Sequence, residues 1–242
     1  MSPAAPILAF LLPAFALGSN GTAALTWEAC DGPVAKSTTA PEISSLLVSV
    51  SGATQPIMAY QFRVIFGDAH SLVPDAWRFD FPVGCQAQNF VELHTEPWGA
   101  IAGACPAWPD TSAPIFIADL NFTPIDEPYA TTTMRFWIAK TWTSQELTPA
   151  PDPAARYFLG AARFNHRYSV GGPTVEGTCG GYDTPMCFKL IRATWLDASL
   201  NEYSFSGGGQ TITFNDPTNG GSCAGTPVQP TTWGQIRSQY RH

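Results

Sequence analysis

The sequence has few basic residues and none of the common mechanism-bearing motifs. Lys and Arg number 12 in 242 residues, against 19 Asp and Glu, which gives a net charge of -7. Nucleic acids and anionic membranes are bound by basic surfaces, so neither is predicted as a main partner. HExxH, GxSxG, GxGxxG, P-loop and EF-hand patterns are absent. The corresponding hydrolase, nucleotide-binding and calcium-binding signatures are therefore excluded, and no catalytic residue or cofactor is predicted.

Long apolar runs are also scarce. Residues 4–17 form one such run, and Thr22 and Ala24 follow it like the −3 and −1 positions of a signal-peptidase site. The run is too short to remain as a stable membrane span. Residues 1–24 are therefore predicted to be a secretory signal peptide, although no Lys or Arg precedes Lys36. A buried core strand is the alternative.

The cysteine content agrees with export to an oxidising compartment. An even number of cysteines, six in this chain, is typical of a protein stabilised by disulfides. Local pairing predicts three bridges: Cys179–Cys187, Cys85–Cys105 and Cys30–Cys223. A zinc site is the alternative, but no CxxC pair is present and histidines are few. No metal is predicted.

Alternating apolar residues predict an all-β fold. MAYQFRVIF (58–66) and TTMRFWIAKTW (132–142) place apolar residues on one face and polar residues on the other. Further predicted strands are 43–52, 75–81, 89–95, 115–122, 156–170, 187–195 and 210–215. The start of 156–170 could instead be helical, but aromatic and β-branched residues favour a strand. The pattern predicts a single two-layer antiparallel β-sandwich, of cohesin-like or jelly-roll type, over residues 25–230.

Some segments resemble known families. LLVSVSGATQPIMAYQFRVIFG followed by VPDAWRFD (46–80) resembles the opening strands of cohesin modules. ARFNHRYSV, CGGYDTPMC and the ending TTWGQIRSQYR are similar to segments of a family of secreted bacterial proteins that end in Trp-Gly-x-Ile-Lys/Arg. The second resemblance implies export and a β-sandwich, and it carries no activity. The cohesin resemblance implies a protein-binding module, although fold alone does not determine function.

One polar cluster could carry chemistry. In VELHTEPW (91–98), Glu92, His94 and Glu96 share one face of a predicted strand, which would suit a carboxylate pair or a metal site. The favoured interpretation is a solvated outer face, with Leu93 and its apolar neighbours turned inward. His166 is interpreted as a half-buried structural histidine, because no nucleophile is placed near it by sequence.

Tryptophans offer a second candidate site. Trp98 and Trp108 lie in a loop-like stretch, and Trp137 lies on the polar side of its strand. Exposed flat aromatic side chains could form a platform for sugar rings. The favoured interpretation is that they close the ends of the sandwich or cover a sheet.

The end of the chain, TTWGQIRSQYRH (231–242), is predicted to form a short amphipathic helix or tail. Its apolar stripe and its C-terminal arginines are Trp233, Ile236, Tyr240, Arg237 and Arg241. So short a helix needs a surface to be stable in water. That surface is the chain's own sandwich, a partner protein or, least favoured, a membrane surface.

The sequence therefore predicts a secreted, non-enzymatic binding or structural module, whose partner is a protein or glycan at the cell surface. One alternative is a polysaccharide-active hydrolase, with Glu92 and Glu96 as carboxylates, or a carbohydrate-binding module. Another is a subunit of a surface assembly. Ligand and oligomeric state are left open.

Overall fold

The fold is an all-β sandwich, seen in a computed structural model that describes residues 20–38, 42–68, 75–77, 91–109, 114–121, 133–142, 148–166 and 183–216. Eleven strands and one short helix lie in these ranges. The strands are β1 (Thr22–Trp27), β2 (Ala35–Lys36), β3 (Ile43–Ser51), β4 (Ala59–Asp68), β5 (Val91–His94), β6 (Pro114–Asn121), β7 (Thr133–Trp142), β8 (Arg156–Asn165), β9 (Met186–Leu196), β10 (Glu202–Ser204) and β11 (Thr211–Phe214), and the helix α1 is Gly99–Ala104.

The strands form two sheets. The smaller sheet has the order β1-β3-β8-β5, and the larger has the order β2-β11-β9-β4-β7-β6, with β10 paired to β9. Each pairing is antiparallel except that of β2 with β11, which is parallel. Two long strands of the larger sheet, β4 and β9, are neighbours at its centre.

The inner faces of the two sheets meet in one aromatic core. Strand β4 buries Phe62, Val64 and Phe66 and alternates them with less buried residues, as the sequence pattern predicts. Trp27 of the smaller sheet contacts Phe188 of the larger sheet, with ring centroids 5.1 Å apart. Such burial of large apolar side chains is the main stabilising contribution to a fold. The predicted two-layer sandwich is confirmed.

Part of the outer face of the smaller sheet, over β3 and β8, is covered by the segment around α1. Ile101 belongs to a second apolar cluster, in which it packs with Leu47 and Phe158, and Trp98 lies against the same cluster. Cys30 and Cys105 are also members and form a disulfide with a Cα–Cα distance of 5.8 Å. The bridge therefore links α1 to the end of β1 across this face.

That disulfide corrects two predicted pairings. Cys30 bonds to Cys105, so neither Cys85–Cys105 nor Cys30–Cys223 forms. Local pairing failed because α1 folds back over β3 and β8, which brings Cys105 within bonding distance of Cys30. Cys187 is also disulfide-bonded. Its predicted partner, Cys179, lies outside the described residues.

Some elements differ from the predicted ones. Asp75–Trp77, predicted as the start of a strand, is a 3₁₀ turn whose Trp77 side chain is fully buried against the core. Gly99–Ala104 is helical, which the sequence pattern did not predict. Strand β1 begins at Thr22, before the predicted domain start at residue 25. The predicted C-terminal helix lies outside the described residues.

Candidate functional site

An exposed polar network lies on the outer face of the larger sheet, over its central strands β4 and β9 and the adjoining β10. Gln61 of β4 is paired with Thr194 of β9, and Thr194 is paired with Ser204 of β10. Phe62 and Val64, which flank the outward positions of β4, are buried in the core. Alternation therefore directs Gln61 away from the core.

Glu202 of β10 is the centre of this network. The Arg192 guanidinium donates a hydrogen bond to Glu202 Oε1 at 2.5 Å, and the Gln61 amide donates to the same oxygen at 3.1 Å. The Thr194 hydroxyl and the Arg192 guanidinium hold the pKa of Glu202 below its usual range. Glu202 is therefore an ionised hydrogen-bond acceptor at neutral pH, and it does not have the raised pKa of a general acid.

A shallow cleft of about 330 Å³ opens beside Glu202. Its walls come from Ile191–Thr194 of β9, from β10 and the following Phe205, and from Gly208. The β4–β9 register shifts between Arg63 and Val64, which leaves Ile191 as an extra residue in β9. Bulges of this kind redirect side chains and often lie beside binding sites. The volume is at the lower end of the range for small-ligand sites, which suits one side chain of a partner or one sugar ring.

The connection between β9 and β10 presents an apolar residue beside the network. Leu200 is 64% exposed and has a φ of +66°. The Asp197 carboxylate accepts hydrogen bonds from the backbone N–H groups of Ser199 and Asn201, at 2.8 and 2.9 Å, which fixes this turn. A leucine in the left-handed region is strained. We name the network and this tip together, Gln61, Arg192, Thr194, Leu200 and Glu202, the β9–β10 surface.

The predicted cluster on β5 is a solvated outer face. Glu92 is exposed and accepts hydrogen bonds from Arg163 at 2.9 Å and His94 at 3.3 Å. Arg163 lowers the pKa of Glu92. Leu93 packs against the core, as expected for the inward side of the strand. Glu96 is exposed. Across the residues described on both sheets, no group of three or more His, Cys, Asp and Glu side chains could hold a metal ion.

The three predicted ligand-facing tryptophans do not lie together in the fold. Trp108 is 1% exposed, and its indole N–H donates to the Thr148 hydroxyl at 2.9 Å, so it closes the sandwich and cannot face a ligand. Its apolar neighbours and the bond to Thr148 explain why a loop-like sequence is buried here. Trp98 is half-buried and stacks on His94 at a centroid distance of 4.1 Å. The register pairs Trp137 of β7 with Arg63 of β4, and the side chain of Trp137 lies outside the described side chains.

His166 is fully buried, which is deeper than predicted. Its ring lies 4.3 Å from the Trp77 ring, and burial lowers its pKa to about 3. The predicted structural role fits this position. The predicted tail residues, Trp233, Ile236, Arg237, Tyr240 and Arg241, lie outside the described residues.

Sequence reasoning missed the β9–β10 surface. Gln61 was recognised as outward-facing, but Arg192 and Glu202 are 10 positions apart and form no motif. The available signal was LDASLNEYS (196–204), in which Asp, Ser and Asn surround Leu200 between two strand-like segments. That composition is typical of a hairpin turn, which would place Glu202 beside β9.

Comparisons with known proteins give similar structures only. No family model matches the chain, and no curated protein matches it. A type II cohesin domain from the cellulosome of Acetivibrio cellulolyticus is 9% identical with a TM-score of 0.41, covering 81% of this chain and 96% of its own. A non-cellulosomal cohesin from Archaeoglobus fulgidus is 7% identical with a TM-score of 0.33, covering 91% and 99%.

A third similar structure is the sixth cohesin of Acetivibrio cellulolyticus scaffoldin B in complex with a Cel5 dockerin mutant. It is 10% identical with a TM-score of 0.37, covering 80% of this chain and 98% of its own. The assignment of a two-layer sandwich rests on the sheets and the core described above. Within the described ranges, no helix is long and apolar enough to cross a membrane.

Proposed function

We propose that the protein is an exported, non-enzymatic binding module that docks a partner protein on its β9–β10 surface. The observation that carries this proposal is the exposed Gln61–Arg192–Glu202 network beside a cleft and the apolar tip Leu200. An apolar anchor next to polar groups that can exchange hydrogen bonds is typical of protein interfaces. A pre-formed, charged surface also favours rapid and specific association.

The distribution of outer faces supports the same surface. Trp98, Ile101 and the Cys30–Cys105 disulfide occupy much of the outer face of the smaller sheet over β3 and β8, and the Glu92–Arg163 pair stays exposed toward its β5 edge. On the larger sheet, Arg192 and Glu202 remain 43% and 39% exposed. A partner would therefore meet a rigid, accessible platform on the larger sheet, built on two long central strands.

The charge states favour binding over hydrolysis. Glycoside hydrolysis requires one carboxyl group that stays protonated and a second that stays ionised. Glu92 has a pKa lowered by Arg163, and Glu202 has a pKa lowered by Thr194 and Arg192. Both are held as carboxylates, which suits hydrogen-bond acceptors and not a general acid.

Export remains part of the proposal. The apolar run at residues 4–17 resembles a signal peptide, and disulfides form and persist mainly in oxidising compartments. The Cys30–Cys105 bridge supports such a compartment. The tail residues Trp233, Ile236 and Tyr240 are proposed as a second contact for a cell-surface partner.

The test compares two matched carboxylate–arginine pairs. Cell-surface extract of the source organism is passed over immobilised protein, and a retained protein is identified and purified. The Kd of its complex with this protein is then measured for the parent and for the variants Glu202→Gln, Leu200→Ser and Glu92→Gln. We expect the first two substitutions to weaken binding about tenfold or more, which corresponds to about 1.4 kcal/mol. Glu92→Gln removes the equivalent exposed pair from the smaller sheet and should leave Kd unchanged. Loss on Glu92→Gln alone would move the site to β5.

A glycan partner is the second candidate, because of the position of Trp137. The register pairs this residue with Arg63 of β4, and β4 and β9 lie between β7 and β10. Aromatic faces beside polar side chains suit sugar rings, which are apolar on one face and rich in hydroxyls at the edge. A change in tryptophan fluorescence with a polysaccharide, lost in Trp137→Ala and retained in Trp98→Ala, would establish a glycan as the ligand.

A further inference from the structure

The chain is tied into the sandwich before β1 begins. Asn20 is fully buried, and its side-chain oxygen accepts hydrogen bonds from the backbone N–H groups of Thr54 and Gln55, at 2.8 and 2.7 Å. Its amide nitrogen donates to the Gln55 carbonyl oxygen at 2.9 Å. One side chain therefore satisfies three backbone groups in the β3–β4 connection. A buried amide with its partners met in this way is a structural element of the fold.

Gly21 occupies a position that only glycine fits. Its φ is +99°, and a Cβ atom built on it would lie 2.5 Å from the Ser51 carbonyl oxygen. The Gly21 carbonyl oxygen accepts hydrogen bonds from the backbone N–H and the hydroxyl of Ser206, at 3.0 and 2.9 Å. This glycine therefore lets the chain pass closely between the β3 end and the β10–β11 connection.

The next three residues are paired in the smaller sheet. Thr22, Ala23 and Ala24 lie opposite Ser51, Val50 and Ser49 of β3. The Ala23 N–H also donates to the Ser206 carbonyl oxygen at 2.7 Å. Cleavage after Ala24 would remove half of β1 together with Asn20 and Gly21. The mature chain would lose contacts to three separate segments of the sandwich.

We propose that the leader is removed upstream of Asn20, by hydrolysis of the Ala16–Leu17 peptide bond. This inference rests on the export part of the proposed function. Ala14 and Ala16 supply the A-x-A pattern of small residues at the −3 and −1 positions, after an apolar stretch that ends at Pro13. In the reaction the C–N bond breaks, the water hydroxyl joins the Ala16 carbonyl carbon, and its proton passes to the Leu17 nitrogen.

The first arm of the test identifies the mature N-terminus. The full chain with its own leader is expressed in a secreting bacterial host, and the exported protein is analysed by intact mass and N-terminal sequencing. The expected first residue is Leu17. A first residue at Leu25, or anywhere beyond Asn20, overturns the inference. A chain that keeps its leader and stays in the cell contradicts export, and the second arm then decides whether residues 20–24 belong to the folded unit.

The second arm measures stability without the leader. Proteins beginning at Leu17 and at Leu25 are prepared under oxidising conditions, and their thermal midpoints are compared. We expect the shorter protein to unfold about 10 °C lower or not to fold, given about 2–4 °C per kcal/mol for a domain of this size. Asn20→Ala in the longer protein should lower the midpoint by several degrees. The control Thr54→Ala keeps the backbone N–H that Asn20 binds and should change little. Equal midpoints for the two lengths overturn the inference.

Discussion

His166 shows how one buried side chain couples the fold to pH. It follows β8 and lies among Trp77, Phe164 and Phe214, fully buried. Burial, followed by the nearby positive charge of Lys36, lowers its pKa from 6.5 to about 3. The folded protein therefore holds a neutral imidazole where the unfolded chain would hold a charged one.

Folding stability should fall as the pH drops below about 6.5. Between the two pKa values the unfolded state binds a proton that the folded state does not, so acid favours unfolding. The expected slope is about 1.4 kcal/mol per pH unit at most, from pH 6.5 down toward the folded pKa of about 3. Urea unfolding at pH 7.0, 6.0 and 5.0 measures it, above the range in which ordinary carboxylates titrate.

The control for this prediction is a second histidine. In His166→Gln the slope between pH 7 and 5 should flatten, even though the variant is less stable at pH 7. His94→Gln removes a half-buried histidine on the outer face of β5 and should keep the full slope. A slope that survives in His166→Gln would assign the pH dependence to another group.

For single residues, the sequence predicted the role of a side chain better than its degree of burial. The β5 cluster was interpreted correctly as a solvated face, because Glu92 and Leu93 alternate on a short strand. Trp108 is buried, as the favoured interpretation of the tryptophans expected, but its hydrogen-bond partner Thr148 is 40 positions away in the chain and could not be predicted. The structural role predicted for His166 fits its position, but the side chain is more buried than predicted. Trp77 covers it from a 3₁₀ turn that local sequence patterns did not predict.

Among the elements, β1 is an edge strand whose outer side is closed by a side chain. The Gln210 carboxamide accepts a hydrogen bond from the Leu25 N–H at 2.6 Å and donates one to the Leu25 carbonyl oxygen at 3.3 Å. It therefore takes the place of one residue of a neighbouring strand. Ala23 and Trp27 donate their N–H groups on the same edge to the carbonyl oxygens of Ser206 and Pro33. Edge strands left open are templates for pairing with other chains.

Gln210→Ala should destabilise the fold and promote self-association. The substitution leaves two backbone groups of Leu25 without their partner, at a cost of about 1–3 kcal/mol if water does not replace it. The thermal midpoint should fall by about 2–12 °C for a domain of this size. Light scattering at increasing protein concentration measures the association.

Gln55→Ala is the matched control for Gln210→Ala. The Gln55 carboxamide is exposed and makes a long, 3.5 Å contact with the Thr54 hydroxyl, while its backbone contacts with Asn20 would remain. This variant should keep both the midpoint and the monomer mass of the parent. A Gln210→Ala protein that behaves the same way would show that the side chain does not protect the edge.

Strand existence was predictable, and the pairing of distant segments was not. Period-2 patterns located β3, β4 and β7 to within one or two residues. Strand β4 alternates buried and less buried residues as its pattern predicts, whereas β3 is buried on both faces. The first half of β1, residues 22–24, was assigned to the leader, since small apolar residues suit both a cleavage site and a strand. The disulfide was mispaired because sequence spacing carries no information about α1 folding over β8.

At the scale of the whole molecule, few large apolar side chains are exposed where side chains are described, which excludes β6 and nearly all of β7. In that part of the chain, Val34 and Leu200 are the exposed large hydrophobic residues, at 39% and 64%. The tail at 231–242 is predicted from its sequence to have an apolar stripe of Trp233, Ile236 and Tyr240. If this stripe docked on that part of the sandwich, it would need an apolar patch that two isolated residues do not form.

We therefore expect removal of residues 231–242 to leave the thermal midpoint within about 2 °C. Docking of three apolar side chains on the chain's own sandwich would contribute up to about 1.5–3 kcal/mol each, so their loss would lower the midpoint by about ten degrees or more. The substitutions Trp233→Ser, Ile236→Ser and Tyr240→Ser, made together in the full chain, separate the stripe from the effect of chain length. Calorimetry of the three proteins measures the result. Small shifts in both variants support a tail that contacts a partner, and a large shift in both would make the tail the last element of the sandwich.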